Sequence, residues 1–183
     1  VYKRQVLVCS TGLIGVGDEV FRGKVLAGTE QAIAELSADG GDVAAEAIMT
    51  TDSVSKTAVV SRDGWTIGGM AKGAGMLAPG LATMLVVITT DAVLEPLEAD
   101  AALRFATGTT FDRLDSDGCM STNDQVTLLA NGASGVTPDL KHFSAALAEL
   151  CLELAVKLQS DAEGASHDLS LIHISEPTRL RRI

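Results

Sequence analysis

The residues best placed to do chemistry lie around Ala82 and Thr83. They stand between a glycine-rich run, Gly68-Gly-Met-Ala-Lys-Gly-Ala-Gly75, and an apolar one, Met84-Leu-Val-Val-Ile88. Glycines occupy positions 64, 68, 69, 73, 75 and 80, so this backbone can take tight shapes closed to other residues. Pro79 fixes one φ and pushes Ala78 towards an extended conformation. The β-branched run after Thr83 reads as a buried strand. A hydroxyl on a constrained turn entering a central strand has a defined position, as a nucleophile requires. The same pattern also describes a plain turn before a core strand, with Thr83 an ordinary strand residue.

Other polar positions can join it. Ser10-Thr11-Gly12 ends the apolar run Val6-Leu-Val-Cys9. A strand ending in a glycine-containing turn can aim N–H groups and a hydroxyl at one point, the geometry of an oxyanion hole; it can equally be only a turn. Lys72 lies eleven residues before Thr83. Its ammonium can hold a carboxylate, or it is a solvated loop lysine. Thr50-Thr51-Asp52 reads first as turn chemistry, and Glu163 as an exposed loop acid.

Several motifs are excluded. Gly12, Gly15 and Gly17 lack the dinucleotide spacing, and no Gly-Lys-Ser/Thr order supports a phosphate loop. Asp115-Ser-Asp-Gly118 suggests a calcium loop, but aligning Gly118 with its sixth position puts Arg113 first and Asp124 twelfth, both wrong. Asp112, Asp115 and Asp117 read as turn residues. His142, His167 and His173 form no metal spacing.

The elements that must position these residues follow from periodicity. Val6–Cys9 reads as a buried strand. A helix is expected over 23–37, with Val25, Leu26, Ala32, Ile33 and Leu36 near one face. Asp42 can cap a second helix from Val43 to about Met49. Lys56–Val60 and Trp65–Ile67 read as strands joined by a turn at 61–64. A helix is expected over roughly 95–107, with Leu97, Ala101, Leu103 and Phe105 as its apolar residues. Gln125–Ala130 reads as another buried strand. Leu140, Phe143, Leu147, Leu150, Leu154 and Leu158 recur at helical spacing, which predicts a long amphipathic helix ending near Asp161.

The 183 residues are 46% hydrophobic, 21% charged and 3% aromatic. That suits a globular domain, or a piece of one, whose core relies on Ala, Val, Leu and Ile; with the strands and helices above, the expected class is α/β. A net charge of −10 argues against nucleic acid as a partner. No apolar run reaches the about 18 residues of a membrane span, and the start shows no signal-peptide pattern. Cys9, Cys119 and Cys151 are odd in number and in no CxxC arrangement. They read as buried free thiols in a reducing compartment, which points to the cytoplasm.

Long motifs in order carry a resemblance. GGMAKGAGMLAPGLATMLVVITTDA, Ser10–Gly15 (STGLIG), Ala47–Asp52 (AIMTTD), Phe111–Asp124 (FDRLDSDGCMSTND) and Asp161–Ala165 (DAEGA) resemble the bifunctional ornithine acetyltransferase/glutamate N-acetyltransferase family of arginine biosynthesis. The likeness spans about 6–168. It implies an αββα-like layering of mixed sheets and outer helices, as in self-processing N-terminal-nucleophile enzymes. It implies self-cleavage between Ala82 and Thr83, with an α-chain part at 6–82 and the start of a β chain at 83–168. Thr83 is then the nucleophile, Thr11 and Gly12 the oxyanion hole, and Thr50, Lys72, Thr83 and Glu163 the substrate-binding residues.

The implied reaction moves acetyl from N-acetylornithine to glutamate with no metal or organic cofactor. Acetyl-CoA is a possible further substrate in bifunctional members, and α2β2 the implied assembly. The alternatives are a self-processed N-terminal-nucleophile aminopeptidase or amidase, and a non-catalytic relative. The ends, 1–5 and 169–183, resemble translated sequencing adapter rather than this family, so the chain is expected to be a fragment without activity by itself.

Overall fold

The computed structural model describes residues 7–12, 15–75, 84–115 and 121–162. Among the described residues eight elements run in the order α1 (Glu19–Ala34), α2 (Gly41–Ala47), β1 (Lys56–Arg62), β2 (Trp65–Lys72), β3 (Leu85–Thr90), α3 (Pro96–Thr109), β4 (Gln125–Ala130) and α4 (Leu140–Ser160), with a 3-10 turn at Phe111–Arg113.

The four strands form one mixed sheet in the order β1-β2-β3-β4. β1 and β2 are a hairpin closed between Arg62 and Trp65. Gly64 in the turn has φ +84°, a conformation glycine adopts without cost. β2 pairs antiparallel with β3, from Ile67 opposite Thr90 to Lys72 opposite Leu85. β3 and β4 are parallel, and α3 lies in the crossover that parallel strands require.

α4 covers one face of the sheet. Its Phe143, Leu147, Leu150, Leu154 and Leu158 pack on Ala58, Val60, Ile67, Val86 and Ile88 in a single core. Five of the six α4 residues foreseen on this face are buried; the sixth, Leu140 at its start, is exposed. Asp139 caps the helix by accepting from the His142 N–H at 3.1 Å. Trp65 closes one end of the core against the rings of Phe143 and His142. The α/β class, mixed sheet and outer helical layer thus follow the sequence reading; the described residues contain one sheet.

Several local expectations are corrected. Residues 7–9 form no strand, and Leu7 and Val8 are exposed; among the described residues no strand lies beside them to satisfy their backbone. α1 begins earlier than expected, because Asp18 caps it through the Phe21 N–H at 2.8 Å. Its apolar residues are exposed. α2 starts at Gly41, with Asp42 inside its first turn and no side-chain cap.

The run at Gly68 and Gly69 is strand, not turn. A Cβ on Gly69 would lie 3.0 Å from Leu150 Cδ2, so the missing side chain lets α4 approach. α3 packs on α4 through Ala102 and Ala106, while Leu97, Ala101 and Phe105 are exposed and Leu103 is half-buried. Small residues give the close approach that the larger ones would block. β4 has the expected bounds but is half-exposed rather than buried.

Candidate active site

β2 and β3 both come to the end of the sheet where the glycine-rich run meets the strand after Thr83. Lys72 is the last residue of β2, opposite Leu85, and is 1% exposed. It is therefore no solvated loop lysine. Burial holds its ammonium below the ordinary lysine pKa; Asp52 and Asp124 pull it back up, while Lys56 repels it.

Asp52 organises the neighbouring turns. Its Oδ1 accepts from the Gly73 N–H at 2.7 Å and from Lys56 Nζ at 2.6 Å, and its Oδ2 from the Thr50 N–H at 3.1 Å. Lys56 is fully buried and also donates to Asp161 Oδ2 at 2.5 Å and to the Val54 carbonyl at 3.3 Å. Asp161 caps α4 and accepts from the Ser53 N–H at 2.9 Å. Burial pushes both carboxyls up, but these hydrogen bonds and the Lys56 charge leave them below the usual carboxylate range.

Asp124 stands at the start of β4. Its Oδ1 accepts from the Met84 N–H at 2.9 Å. The Met84 carbonyl in turn accepts from the Gln125 N–H at 3.1 Å. Burial raises the Asp124 pKa; the Met84 and Ser121 hydrogen bonds and the Lys72 charge oppose the rise without cancelling it.

The expected site residues divide into three groups. Lys72 and the Thr50 backbone meet through Asp52 and Gly73. Thr11 and Gly12 are exposed and line a groove with Ser10, Asp18, Phe21 and Asn123, and Asn123 adjoins Asp124. Ala82, Thr83 and Glu163 lie outside the described residues, as do Cys119, His167 and His173. Cys151 is buried, its thiol pushed up to about 12 by desolvation. Cys9 is exposed, contrary to expectation. Among the described residues no group of three His, Cys, Asp or Glu side chains is placed to hold a metal, and no helix is long and apolar enough to cross a membrane.

Asp52, Lys56, Asp124 and Asp161 were not singled out as site residues from the sequence. Asp52, Asp124 and Asp161 did fall inside motifs that carried the resemblance.

A sequence profile of the ArgJ family matches residues 1–177. The chain belongs to the ArgJ family. It is 60% identical over 174 residues to a Streptomyces coelicolor protein named "Arginine biosynthesis bifunctional protein ArgJ", covering 95% of this chain and 45% of that one. The same name is carried by a Streptomyces avermitilis protein, 62% identical over 167 residues, with 91% and 43% covered. A Mycobacterium leprae relative of that name is 58% identical over 165 residues, with 88% and 40% covered. The chain thus spans less than half the length of these ArgJ relatives.

Proposed function

We propose that this chain is part of an acetyltransferase that moves an acetyl group from N-acetylornithine to glutamate. It would first cut itself between Ala82 and Thr83, giving an α-chain part at 6–82 and a β-chain start at 83–168. The observation that carries the proposal is Lys72, a buried ammonium opposite Leu85 at the start of β3, under the influence of the Asp52 and Asp124 charges. Burying a charge is costly; Asp52 and Asp124 offset part of that cost, and a substrate carboxylate would be a further partner. Membership of the ArgJ family favours this reading over a peptidase or a non-catalytic relative.

In the first phase the Thr83 hydroxyl adds to the Ala82 carbonyl. The C–N bond breaks, the hydroxyl proton goes to the departing nitrogen, and water hydrolyses the resulting ester. Thr83 then has a free α-amine, with a reference pKa of about 7.7–8.0, which serves as base for its own hydroxyl. In the second phase the hydroxyl attacks the acetyl carbonyl of N-acetylornithine, and ornithine leaves with the proton. The glutamate amine then takes the acetyl group from the threonine ester.

Thr11 and Gly12 would stabilise the oxyanion at each step, and Thr50, Lys72 and Glu163 would hold substrate. Acetyl-CoA as a further acetyl donor, an α2β2 assembly and a cytoplasmic setting complete the proposal. The test is mass spectrometry of the full-length gene product. A β chain beginning Thr-Met-Leu-Val-Val, absent in Thr83→Ala, is expected; an intact Ala82–Thr83 bond in an active enzyme rejects it.

A further inference from the structure

Met84 is held from both sides by two consecutive residues some forty positions further along the chain. The Asp124 carboxylate accepts its N–H and the Gln125 N–H donates to its carbonyl. The second bond belongs to the parallel ladder between β3 and β4. The first does not, because a side chain stands where a backbone carbonyl would serve. The Ser121 hydroxyl and the Lys72 charge also favour the ionised Asp124 carboxylate. The Met84 N–H is half of the peptide group that joins Met84 to Thr83, and peptide groups are planar.

We infer that Asp124 is a positioning residue for self-cleavage, acting through its hold on the Met84 N–H, one residue past Thr83 in the chain. The inference rests on the self-cleavage reading above. Attack on the preceding carbonyl needs the hydroxyl within a few tenths of an ångström of its line, and small misplacements cost rate steeply. A carboxylate acceptor at 2.9 Å restrains the Met84 N–H, one residue beyond the proposed nucleophile. The acceptor oxygen matters here and the charge does not, so an amide in its place should serve.

The test uses the full-length gene and follows the appearance of the β chain by mass spectrometry after a pulse of synthesis. D124A and D124L, which lack the acceptor, should cut on the order of 10–100-fold more slowly, while D124N stays close to the wild-type rate. Folding is checked with each change in the uncleavable Thr83→Ala background, by the fluorescence of the single tryptophan, Trp65, which is buried. Wild-type cutting by a folded D124A overturns the inference, as does a D124N as slow as D124A. Loss of folding in both D124A and D124L also overturns it, since Asp124 would then be a structural residue. An uncut wild type, or cutting that survives Thr83→Ala, instead refutes the self-cleavage reading on which the inference stands.

Discussion

Lys56 Nζ lies 2.6 Å from Asp52 Oδ1, and both side chains are fully buried. Asp161 supplies a second carboxylate at 2.5 Å from the C-terminal cap of α4. One ammonium therefore joins the start of β1, the end of α4 and, through Asp52, the turn after Lys72. A buried network of this kind adds little when compared with a well-packed apolar core, but breaking it leaves charges stranded.

Lys56→Met should therefore destabilise the fold by about 3–5 kcal/mol, because it leaves two carboxylates without their cation. Urea unfolding followed by Trp65 fluorescence measures it. Arg104→Ala removes the exposed pair with Asp100 and should leave the unfolding midpoint where it is. Equal effects from the two changes would show that the Lys56 network is not buried as described.

The same network sets a pH dependence. The Asp52 and Asp161 pKa values are lowered on folding, so the folded state binds their protons less readily than the unfolded chain. Their stabilisation is present above the ordinary aspartate pKa of about 3.9 and is lost as pH falls through their lower folded values. Asp124 has the opposite sign: its raised pKa costs stability as pH rises through the ordinary aspartate value towards the folded one. Unfolding midpoints from pH 3 to 7 should show a drop at the acid end that is smaller in Asp52→Asn. Asp124→Asn should gain relative to wild type as pH rises above 4. An unchanged acid limb in Asp52→Asn would contradict the first assignment.

Gly69 and Gly68 are adjacent but opposite in demand. A Cβ on Gly69 meets Leu150 Cδ2 at 3.0 Å and Leu154 Cδ1 at 3.2 Å, whereas one on Gly68 meets only Thr89 Oγ1 at 3.8 Å. Gly69→Ala should cost about 1–3 kcal/mol through overpacking. Gly68→Ala should be neutral, or stabilising by about 0.4–1 kcal/mol through the unfolded chain. Denaturant midpoints of the two variants decide it; a reversed order would place α4 on the other face of the sheet.

What could be read from the sequence was what repeats locally. Phe143, Leu147, Leu150, Leu154 and Leu158, all buried, announced α4 by their spacing, and Gln125–Ala130 read as a strand. The face of α3 was misread because Leu97 and Phe105 are large, while the packing is done by Ala102 and Ala106. Size suggests burial, yet close helix contact selects small side chains. β2 was cut short because Gly68 and Gly69 look like a turn until α4 is seen lying over them.

The candidate site was legible only in part, for a related reason. Lys72 could be named, but not its burial, which depends on carboxylates distant in sequence. Lys56 meets Asp161 across 105 positions, and nothing in the local pattern of either announces the partner.

Lys72 carries the last prediction. Both proposed substrates have an α-carboxylate, and a buried ammonium is the group to receive one. Hydrogen bonds to charged groups contribute about 1.5–3 kcal/mol, so in the full-length enzyme Lys72→Met should lower kcat/KM roughly 10–100-fold for both N-acetylornithine and glutamate. Met keeps most of the apolar stem and lacks the terminal ammonium with its donors, so the sheet should keep most of its packing. Self-cleavage is the control, because it involves no substrate carboxylate and should proceed in Lys72→Met. Lys72→Arg keeps the charge but needs room for a planar fork, and in a site buried to this degree it should rescue poorly. Steady-state kinetics on the cleaved variants decide the role. A Lys72→Met enzyme with unchanged kcat/KM for both substrates would make Lys72 a structural cation, balancing Asp52 and Asp124.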